Sequence, residues 1–245
     1  MLLQRVGIVG AGIMGAEIAL NFAIAGYEVI MNDASMELAM KGKERQVLIL
    51  DKMIKKGRLD VAKKEPILSR IVPTGKLSDM SHCDLVIEAI IEDFTIKSKI
   101  FAELDSICPE ECVIASNTSS IPITRLASTV SKTRATKFLG MHFFSPATVM
   151  KLVEVIPGQL CGQEAVSFAK EAVKSINKTP VEIKDVAGFA INRLLNIFFI
   201  EAIRLLEEGV ASVEDIDTAC KLGLGHPVGP FELLDLINRE RQLNC

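Results

Sequence analysis

Short apolar runs alternate with longer segments of helical periodicity over the first three quarters of the chain. The runs are rich in valine and isoleucine, end in glycine or polar residues, and cover residues 6–9, 28–32, 84–89 and 112–115. Buried strands of a parallel sheet have this pattern because helices cover both of their faces. The alternation therefore predicts an α/β fold with a doubly wound, mostly parallel sheet.

The alternation stops at Asp185. Residues 186–206 are apolar on nearly all sides, which predicts a buried helix, either within the chain or partly against a second subunit, and the patterns that follow are helical. We therefore predict one domain over residues 1–185 and a smaller, all-helical C-terminal domain over residues 186–245.

Start and stop signals locate further helices. A charged stretch near residues 36–70, broken at Gly57, predicts a pair of helices inserted in the first domain. Ser212 and Asp215 have the spacing of a capping box. Pro230 suits the first turn of the helix after that.

A glycine pattern joins the first strand to the first helix. In a G-x-G-x-x-G motif, Gly10 permits the tight turn, Gly12 the close approach of a pyrophosphate, and Gly15 the packing of helix on strand. The next strand ends at Asp33, close to the spacing of about 20 residues at which an acid holds the adenosine ribose. Together these features predict a Rossmann-type dinucleotide site. The cofactor-binding residues predicted in the turn are Gly10, Gly12, Ile13, Met14 and Gly15.

Asp33 also favours one dinucleotide over the other. Its carboxylate would repel a 2′-phosphate, and residues 34–36 contain no arginine to receive one. The sequence therefore predicts NAD rather than NADP.

Composition and charge argue against several classes of protein. Of the 245 residues 49% are hydrophobic, and the net charge of −3 is mixed along the chain, so neither a disordered chain nor a nucleic-acid partner is expected. The apolar runs are interrupted by polar residues, so we expect no membrane partner. The first residues lead straight into a strand, without the features of a signal peptide, which favours a cytoplasmic protein.

The six cysteines do not predict a metal site. Cys108 and Cys112 have the spacing of half a site, but no second pair of Cys or His residues matches it. Reduced, buried thiols are the interpretation that the scattered positions favour.

Residues 137–156, KFLGMHFFSPATVMKLVEVI, carry the candidate chemistry. One apolar run ends near His142, a Ser-Pro turn follows, and a second run carries Glu154 in the alternating pattern of a buried strand. Each residue alone is ordinary in a core, but on neighbouring strands Glu154 would need a partner and the imidazole is the obvious one. A carboxylate that fixes the ring tautomer raises the basicity of the other nitrogen. A dehydrogenase needs such a base when hydride leaves an alcohol carbon.

Hydroxyl groups follow another predicted strand. Residues 116–120, Ser-Asn-Thr-Ser-Ser, come after Ala115, at the edge of the sheet where open parallel sheets bind ligands. Helix capping by Thr118 or Ser120 is the alternative interpretation, and it is compatible with a ligand role for Ser119.

Cations cluster where the inserted helical stretch is predicted to break. They either form a solvated helix face or receive the phosphates of a substrate, and the pattern leaves both interpretations open. The cluster consists of Lys52, Lys55, Lys56 and Arg58.

Several stretches together are specific to one family. They are GIVGAGIMGAEIA, DLVIEAIIED, SNTSSIPIT, GMHFFSPATVMKLVEVI, GFAINRLL and GHPVGPFELLDLI, spread over nearly the whole chain. In these stretches and their order the chain resembles the L-3-hydroxyacyl-CoA dehydrogenases, and most closely the bacterial 3-hydroxybutyryl-CoA dehydrogenases. The resemblance implies an NAD-dependent enzyme that reversibly oxidises an L-3-hydroxyacyl-CoA, with short acyl chain, in fatty acid or butanoate metabolism.

The resemblance also implies catalytic roles. His142 matches the catalytic base, and Glu154 matches the acid that orients it. Ser119 matches a residue that hydrogen-bonds the 3-oxygen of the substrate. Asn192 matches one that supports substrate and histidine from the second domain.

Further matched positions concern binding. The helical domain is implied to form a homodimer and to help bind an acyl-CoA substrate. The region of Lys52, Lys55 and Lys56 is implied to receive the CoA moiety. No motif fixes which of these lysines does so. From the residues alone, helix capping also explains the acid at position 92. The implied cofactor contacts beyond the glycine turn are Asp33, Glu92, Lys97, Ser119 and Ser145.

Two departures from the family pattern matter. Ser145 stands where the family has Asn, and its shorter reach predicts weaker positioning of the nicotinamide. After residues 235–237 the family continues for several helices, whereas this chain reads NRERQLNC. We expect a looser helical domain, or an apolar patch that association covers.

Two other functions fit the same residues. One is a family member that keeps NAD affinity but has lost turnover, which the altered C-terminal sequence suggests. The other is a related dehydrogenase of a small hydroxy acid, although such enzymes often use a lysine base in the second domain.

Overall fold

The buried apolar runs form a single eight-stranded sheet in the computed structural model, which describes residues 2–242. The strand order across the sheet is β3-β2-β1-β4-β5-β6-β7-β8. The strands are β1 (Arg5–Val9), β2 (Glu28–Asn32), β3 (Ile71–Thr74), β4 (Leu85–Glu88), β5 (Val113–Ser116), β6 (Phe138–Phe143), β7 (Leu152–Pro157) and β8 (Thr179–Glu182).

Strands β1 to β6 are mutually parallel, so their carboxyl ends share one edge of the sheet. Strand β7 runs antiparallel to β6, and β8 is parallel to β7. The order reverses direction next to β1, which makes a crevice between the β1 and β4 carboxyl ends where such sheets bind ligands. The predicted Rossmann-type fold is therefore confirmed.

Helices connect the strands and continue beyond the last one. The helices are α1 (Ile13–Ile24), α2 (Met36–Lys55), α3 (Lys64–Ser69), α4 (Phe94–Ile107), α5 (Ile123–Ala127), α6 (Lys132–Ala135), α7 (Gln163–Ser175), α8 (Ile191–Glu207), α9 (Val213–Gly223) and α10 (Pro230–Gln242). Within the described chain, none of them is both long and apolar enough to cross a membrane.

The core lies on both faces of the sheet. Ile8 on β1, Met31 on β2 and Ile87 on β4 are fully buried, and Phe22 on α1 packs into the same cluster. Full burial of one such side chain contributes roughly 1.5–3 kcal/mol relative to exposure. This packing fixes the position of the carboxyl ends of the parallel strands, after which the polar residues begin.

The chain divides into two compact units at the junction of residues 187 and 188. In the second unit, Ser212 Oγ accepts a hydrogen bond from the N–H of Asp215 at 3.1 Å, so the predicted cap of α9 is confirmed. Asp217, a buried carboxylate on α9, accepts hydrogen bonds from the N–H groups of Phe231 and Glu232 at 2.9 and 3.1 Å. These bonds hold the first turn of α10 against α9.

Within the single chain, α8 is not buried on nearly all sides. Leu194 and Ile197 are each 68% exposed, and Ala202 is the buried residue of that helix. Apolar composition shows that a surface favours being covered, but it does not show that the same chain covers it.

The cap predicted from Thr118 or Ser120 is also not what holds α5. Asp185 accepts hydrogen bonds from the first two N–H groups of this helix, those of Ile123 and Thr124, at 2.9 and 2.7 Å. The cap comes from a carboxylate about 60 residues along the chain, so local sequence rules do not reveal it.

The described cysteines are free thiols, of which Cys83, Cys108 and Cys112 are buried. Cys161 and Cys220 are partly exposed, and Cys245 lies outside the described residues. No group of three or more potential metal ligands comes together in residues 2–242.

Gln46 is a polar side chain buried between α1 and α2. Its Nε2 donates to the carbonyl of Ala16 at 2.9 Å, whereas its buried Oε1 accepts no hydrogen bond from the described residues. The Ala16 carbonyl lies inside a helix, which provides its own i+4 N–H partner. Gln46→Met should therefore raise the free energy of unfolding by about 1 kcal/mol in urea titrations. The exposed Gln163→Met change should stay within about 0.5 kcal/mol of wild type, and a less stable Gln46→Met variant would contradict this account.

Candidate active site

The glycine turn between β1 and α1 is shaped by close backbone approaches. Gly10 has φ of +102°, and a Cβ there would lie 2.6 Å from the carbonyl oxygen of Ala89. A Cβ on Gly15 would lie 1.7 Å from the Gly10 carbonyl oxygen. At Gly12 a Cβ would meet nothing within 4 Å, so the turn is open on that side.

The open side of Gly12 coincides with the amino end of α1. Gly12 is the N-cap residue, Ile13 and Met14 form the first turn, and that turn contains no acidic side chain. The N–H groups and the dipole of the helix therefore face open space with positive character, which suits a pyrophosphate.

Asp33 connects this turn to β2. Its Oδ2 accepts the N–H of Ala11 and its Oδ1 that of Ala34, each at 2.7 Å. The side chain is half-buried, and each carboxylate oxygen retains a lone pair for a further donor. Asp33 thus stabilises the glycine turn as well as lying where a ribose hydroxyl is expected.

A buried polar cluster supports the end of β4. Glu88 is fully buried and accepts hydrogen bonds from Lys97 Nζ, from Ser116 Oγ at 2.7 Å and from the N–H of Ile90 at 2.8 Å. Lys97 is itself 1% exposed. The sequence interpretation missed Glu88, although an acid inside the apolar run DLVIEA is the same signal that singled out Glu154.

Glu92 holds the segment that follows β5. Its Oε1 accepts hydrogen bonds from Thr118 Oγ1 at 2.5 Å, from the N–H groups of Ser119 and Ser120 at 3.0 Å, and from Ser120 Oγ at 2.9 Å. Its Oε2 lies 3.4 Å from Lys97 Nζ. Burial acts to raise the pKa of Glu92, but the hydrogen bonds, that of Thr118 first, and the Lys97 charge outweigh burial and lower it.

His142 and Glu154 are direct neighbours across the β6–β7 pair. Their Cα atoms are register partners, and His142 Nδ1 lies 2.8 Å from Glu154 Oε2. The side chains are 5% and 1% exposed. The other ring nitrogen, Nε2, lies 3.1 Å from Ser119 Oγ. The structure thus brings together three of the predicted site residues.

Asn117 joins the ends of the two strands that carry this cluster. Its Oδ1 accepts the N–H of Phe143 at 2.8 Å, and its own N–H donates to the Glu88 carbonyl at 2.8 Å. The bonds align the carboxyl ends of β4, β5 and β6. Sequence reasoning did not single out Asn117, because its role depends on strands that are distant in the chain.

Further predicted site residues lie in the loop after β6, at the end of α2 and in the second unit. Ser145 is exposed in the connection after β6. Lys52 and Lys55 are exposed in the last turns of α2, and Lys56 follows as its C-cap. Asn192 lies in the first turn of α8, in the second unit, so its predicted support of His142 stays a prediction.

A cavity of about 700 Å³ lies at the opposite edge of the sheet. It is lined by Val113 at the start of β5, Lys137 just before β6, Gly162 just before α7 and Phe168 within that helix. Ligands of open parallel sheets bind at the carboxyl ends of the strands, so this cavity is not the candidate active site.

Comparison with known proteins identifies the family. Residues 5–186 match the 3-hydroxyacyl-CoA dehydrogenase, NAD binding domain, and residues 188–244 match the 3-hydroxyacyl-CoA dehydrogenase, C-terminal domain. The chain belongs to the 3-hydroxyacyl-CoA dehydrogenase family. The resemblance stated from its motifs is confirmed.

Relatives of this family member are similar over nearly its whole length. The 3-hydroxybutyryl-CoA dehydrogenase of Clostridioides difficile is 42% identical over 234 residues, which are 96% of this chain and 83% of that protein. The mitochondrial hydroxyacyl-coenzyme A dehydrogenase of Homo sapiens is 42% identical over 243 residues, 97% of this chain and 77% of that protein. The crystal structure of (S)-3-hydroxybutyryl-CoA dehydrogenase from Ralstonia eutropha has a TM-score of 0.92 at 42% identity, covering 96% of this chain and 83% of that one.

The cofactor of this 3-hydroxyacyl-CoA dehydrogenase family member is NAD. The match to the NAD-binding domain includes the glycine turn and the strands that carry the cluster, and it confirms the predictions of an enzyme and of this cofactor. The turn fits the group, because Gly12 leaves room for the pyrophosphate and Asp33 is placed for the ribose.

Two glycines of the turn should respond differently to the same added methyl group. Gly15→Ala forces a Cβ onto the Gly10 carbonyl and should destabilise the fold by roughly 3 kcal/mol. The Cβ added by Gly12→Ala meets no protein atom, so the free energy of unfolding should change by about 1 kcal/mol or less. The Kd for NADH should rise about tenfold or more, because the methyl group occupies the space of the pyrophosphate. Urea unfolding and fluorescence titration with NADH measure both effects, and unchanged NADH affinity in Gly12→Ala would contradict the placement of the pyrophosphate.

The lowered pKa of Glu92 makes its contribution to stability depend on pH. A carboxyl with a lower pKa in the folded state stabilises the fold above its unfolded pKa of about 4.3, and that stabilisation is lost as pH falls through the folded pKa. Wild type should therefore be more stable than Glu92→Gln at pH 7, and the difference should shrink progressively below about pH 4.3. Urea unfolding of both proteins across this range gives the test, and a difference that does not change with pH would refute it.

Proposed function

We propose that this chain catalyses the reversible, NAD-dependent oxidation of an L-3-hydroxyacyl-CoA to the 3-oxoacyl-CoA, with His142 as general base. The observation that carries the proposal is the buried 2.8 Å contact between His142 Nδ1 and Glu154 Oε2, with Nε2 directed to Ser119 Oγ. Membership of the 3-hydroxyacyl-CoA dehydrogenase family and the names of its relatives support the reaction.

Glu154 determines which nitrogen of His142 acts. A carboxylate accepts a hydrogen bond from Nδ1–H, so the neutral ring carries its proton there and Nε2 carries the lone pair that can accept a proton. Nε2 then takes the proton of the 3-hydroxyl group, and the buried Glu154 charge stabilises the resulting imidazolium. In the reverse direction the same imidazolium returns the proton to the 3-oxygen.

Ser119 holds the reacting oxygen at the proper distance. Its hydroxyl lies 3.1 Å from Nε2, so an oxygen that lies beside both atoms can receive a hydrogen bond from Ser119 while facing the base. Glu92 orders this residue through the N–H groups of Ser119 and Ser120. When bound, NAD supplies the carbon that accepts the hydride. We further propose that Asn192 supports substrate and His142 from the second unit.

The substrate handle is proposed to bind near the end of α2. The exposed cations Lys52, Lys55 and Lys56 lie at the carboxyl end of that helix and suit the phosphates of CoA. The names of the bacterial relatives support a short acyl chain, as in 3-hydroxybutyryl-CoA.

The proposed homodimer would form through the second unit. Leu194, Ile197, Ile200 and Ile203 recur every three residues along α8 and are 40–68% exposed. A stripe of that spacing forms one face of a helix and favours burial against another surface.

One assay tests the function and separates the alternatives. Consumption of NADH, followed by its absorbance, should occur with acetoacetyl-CoA and not with free acetoacetate. Reduction of free acetoacetate at a comparable rate would favour a hydroxy-acid dehydrogenase. NADH binding without turnover of either compound would favour a family member that has lost catalysis, and would refute the proposal.

Substitution of the proposed base should separate chemistry from cofactor binding. His142→Gln should lower kcat for acetoacetyl-CoA reduction by about 10²–10⁴, because the proton is no longer delivered, while the Kd for NADH stays within about twofold. His82→Gln is the matched control, since this exposed histidine precedes β4 at the opposite edge of the sheet. Near-normal kcat in His142→Gln would show that another group is the base.

A further inference from the structure

Lys178 is a buried cation that the proposed chemistry does not use. Its Nζ donates hydrogen bonds to the carbonyl oxygens of Ala147 and Met150, both at 2.6 Å. The residue is 7% exposed, and burial, followed by repulsion from Lys151, lowers the pKa of its ammonium to about 8. Both carbonyls belong to residues 144–151, the connection between β6 and β7, named here the β6–β7 loop. Burial of an ammonium is costly, so its place against this loop requires an explanation.

The local chain directs Lys178 inward. Asn177 has φ of +56°, a left-handed conformation that ends α7, and the N–H of Lys178 then bonds to the carbonyl of Val173 at 3.2 Å. The next residue, Thr179, donates its N–H to the carbonyl of Lys151 at 2.8 Å. The turn before β8 is thereby bonded to the β6–β7 loop at three carbonyl groups, those of Ala147, Met150 and Lys151.

Helix α1 binds the same loop from its other side. Asn21 Nδ2 donates to the Ala147 carbonyl at 2.9 Å, and Glu17 Oε2 accepts the N–H of Thr148 at 3.1 Å. Glu17 is itself buried, and its charge also faces Lys178. The carbonyl of Ala147 thus accepts two hydrogen bonds, one from Asn21 on α1 and one from Lys178 in the turn before β8.

These contacts connect the loop both to the strand that carries His142 and to the helix that follows the glycine turn. Its amino end follows His142 by two residues, and the ring of Phe144 lies 4.6 Å from the His142 ring, centre to centre. Its middle is bonded to α1, the helix whose amino end faces the pyrophosphate. We therefore expect the nicotinamide end of a dinucleotide that extends from Gly12 to His142 to meet the amino end of this loop, where Ser145 is exposed.

We infer that Lys178 is a positioning residue for the cofactor, which holds the β6–β7 loop in the conformation that presents Phe144 and Ser145 to the nicotinamide end. The inference rests on the proposed function, because it takes His142 as the end point of the bound dinucleotide. Lys178 acts through the two loop carbonyls and does not itself touch the cofactor.

Lys178→Met tests the inference, because it keeps an unbranched side chain of similar length and removes the ammonium group that donates both hydrogen bonds. We expect the Kd for NADH, measured by fluorescence titration, and the KM for NADH to rise about tenfold, since the loop no longer has one fixed conformation. The KM for acetoacetyl-CoA and kcat at saturating NADH should stay within about threefold, because strand register holds the His142–Glu154 pair. Lys178→Arg, which retains a cation with several donors, should recover most of the NADH affinity.

Arg134→Met is the matched control for loss of a buried cation. The guanidinium of Arg134 donates to the carbonyls of Cys108 and Cys112 at 3.0 and 2.6 Å, before β5 and at the opposite edge of the sheet. This variant should lose stability with NADH affinity within about twofold of wild type. If Lys178→Met likewise loses stability but binds NADH within twofold of wild type, Lys178 is merely structural and the inference is overturned.

A second variant decides the matter if Lys178→Met does not fold. Asn21→Leu removes one donor from the Ala147 carbonyl and leaves Lys178 in place, so a rise of about threefold in the Kd for NADH is expected. An unchanged Kd in Asn21→Leu would overturn the inference. NADH binding is measured without an acyl substrate, so a wild-type protein that binds NADH but does not reduce acetoacetyl-CoA refutes the proposed function alone.

Discussion

The hydrogen bond between His142 and Glu154 is the constraint on which the candidate site depends. Burying the Glu154 carboxylate, 1% exposed, is costly unless a donor meets it, and the antiparallel β6–β7 register places the imidazole directly opposite. The same bond that satisfies the acid fixes the ring tautomer and turns Nε2 toward Ser119. Fold stability and the proposed chemistry thus require the same geometry at this position.

Around this pair, charged side chains align strand ends that hydrophobic packing alone would leave free to shift. Glu88 connects β4 to β5 through Ser116, and Glu92 holds the segment after β5 that contains Ser119. Lys97, which lies on α4, forms ion pairs with both of these acids. A network of this kind is stabilising only when every member is satisfied, and its members here accept or donate several hydrogen bonds each. The result is a rigid carboxyl edge facing the nucleotide turn.

Local sequence rules predicted those parts of the molecule that depend on neighbours in the chain. The glycine turn, Asp33 after β2 and the capping box at Ser212 follow from spacing, because a turn or helix end is decided within a few residues. The α/β order follows from the alternation of apolar runs. The α5 cap could not be predicted in this way, since Asp185 reaches it from the far end of the first unit. What covers α8 could not be predicted either, since apolar composition does not specify what covers a surface.

By itself the sequence determined the strand and helix pattern, the dinucleotide turn, the preference for NAD, and the presence of a histidine and an acid in adjoining apolar runs. Only the tertiary structure decided that these two residues share a register position, that Glu92 orders Ser119, and that Lys178 and α1 hold the β6–β7 loop. The physical reason is that periodicity and turn chemistry act over a few residues. Pairing between strands and burial of charges depend on contacts between segments far apart in the chain.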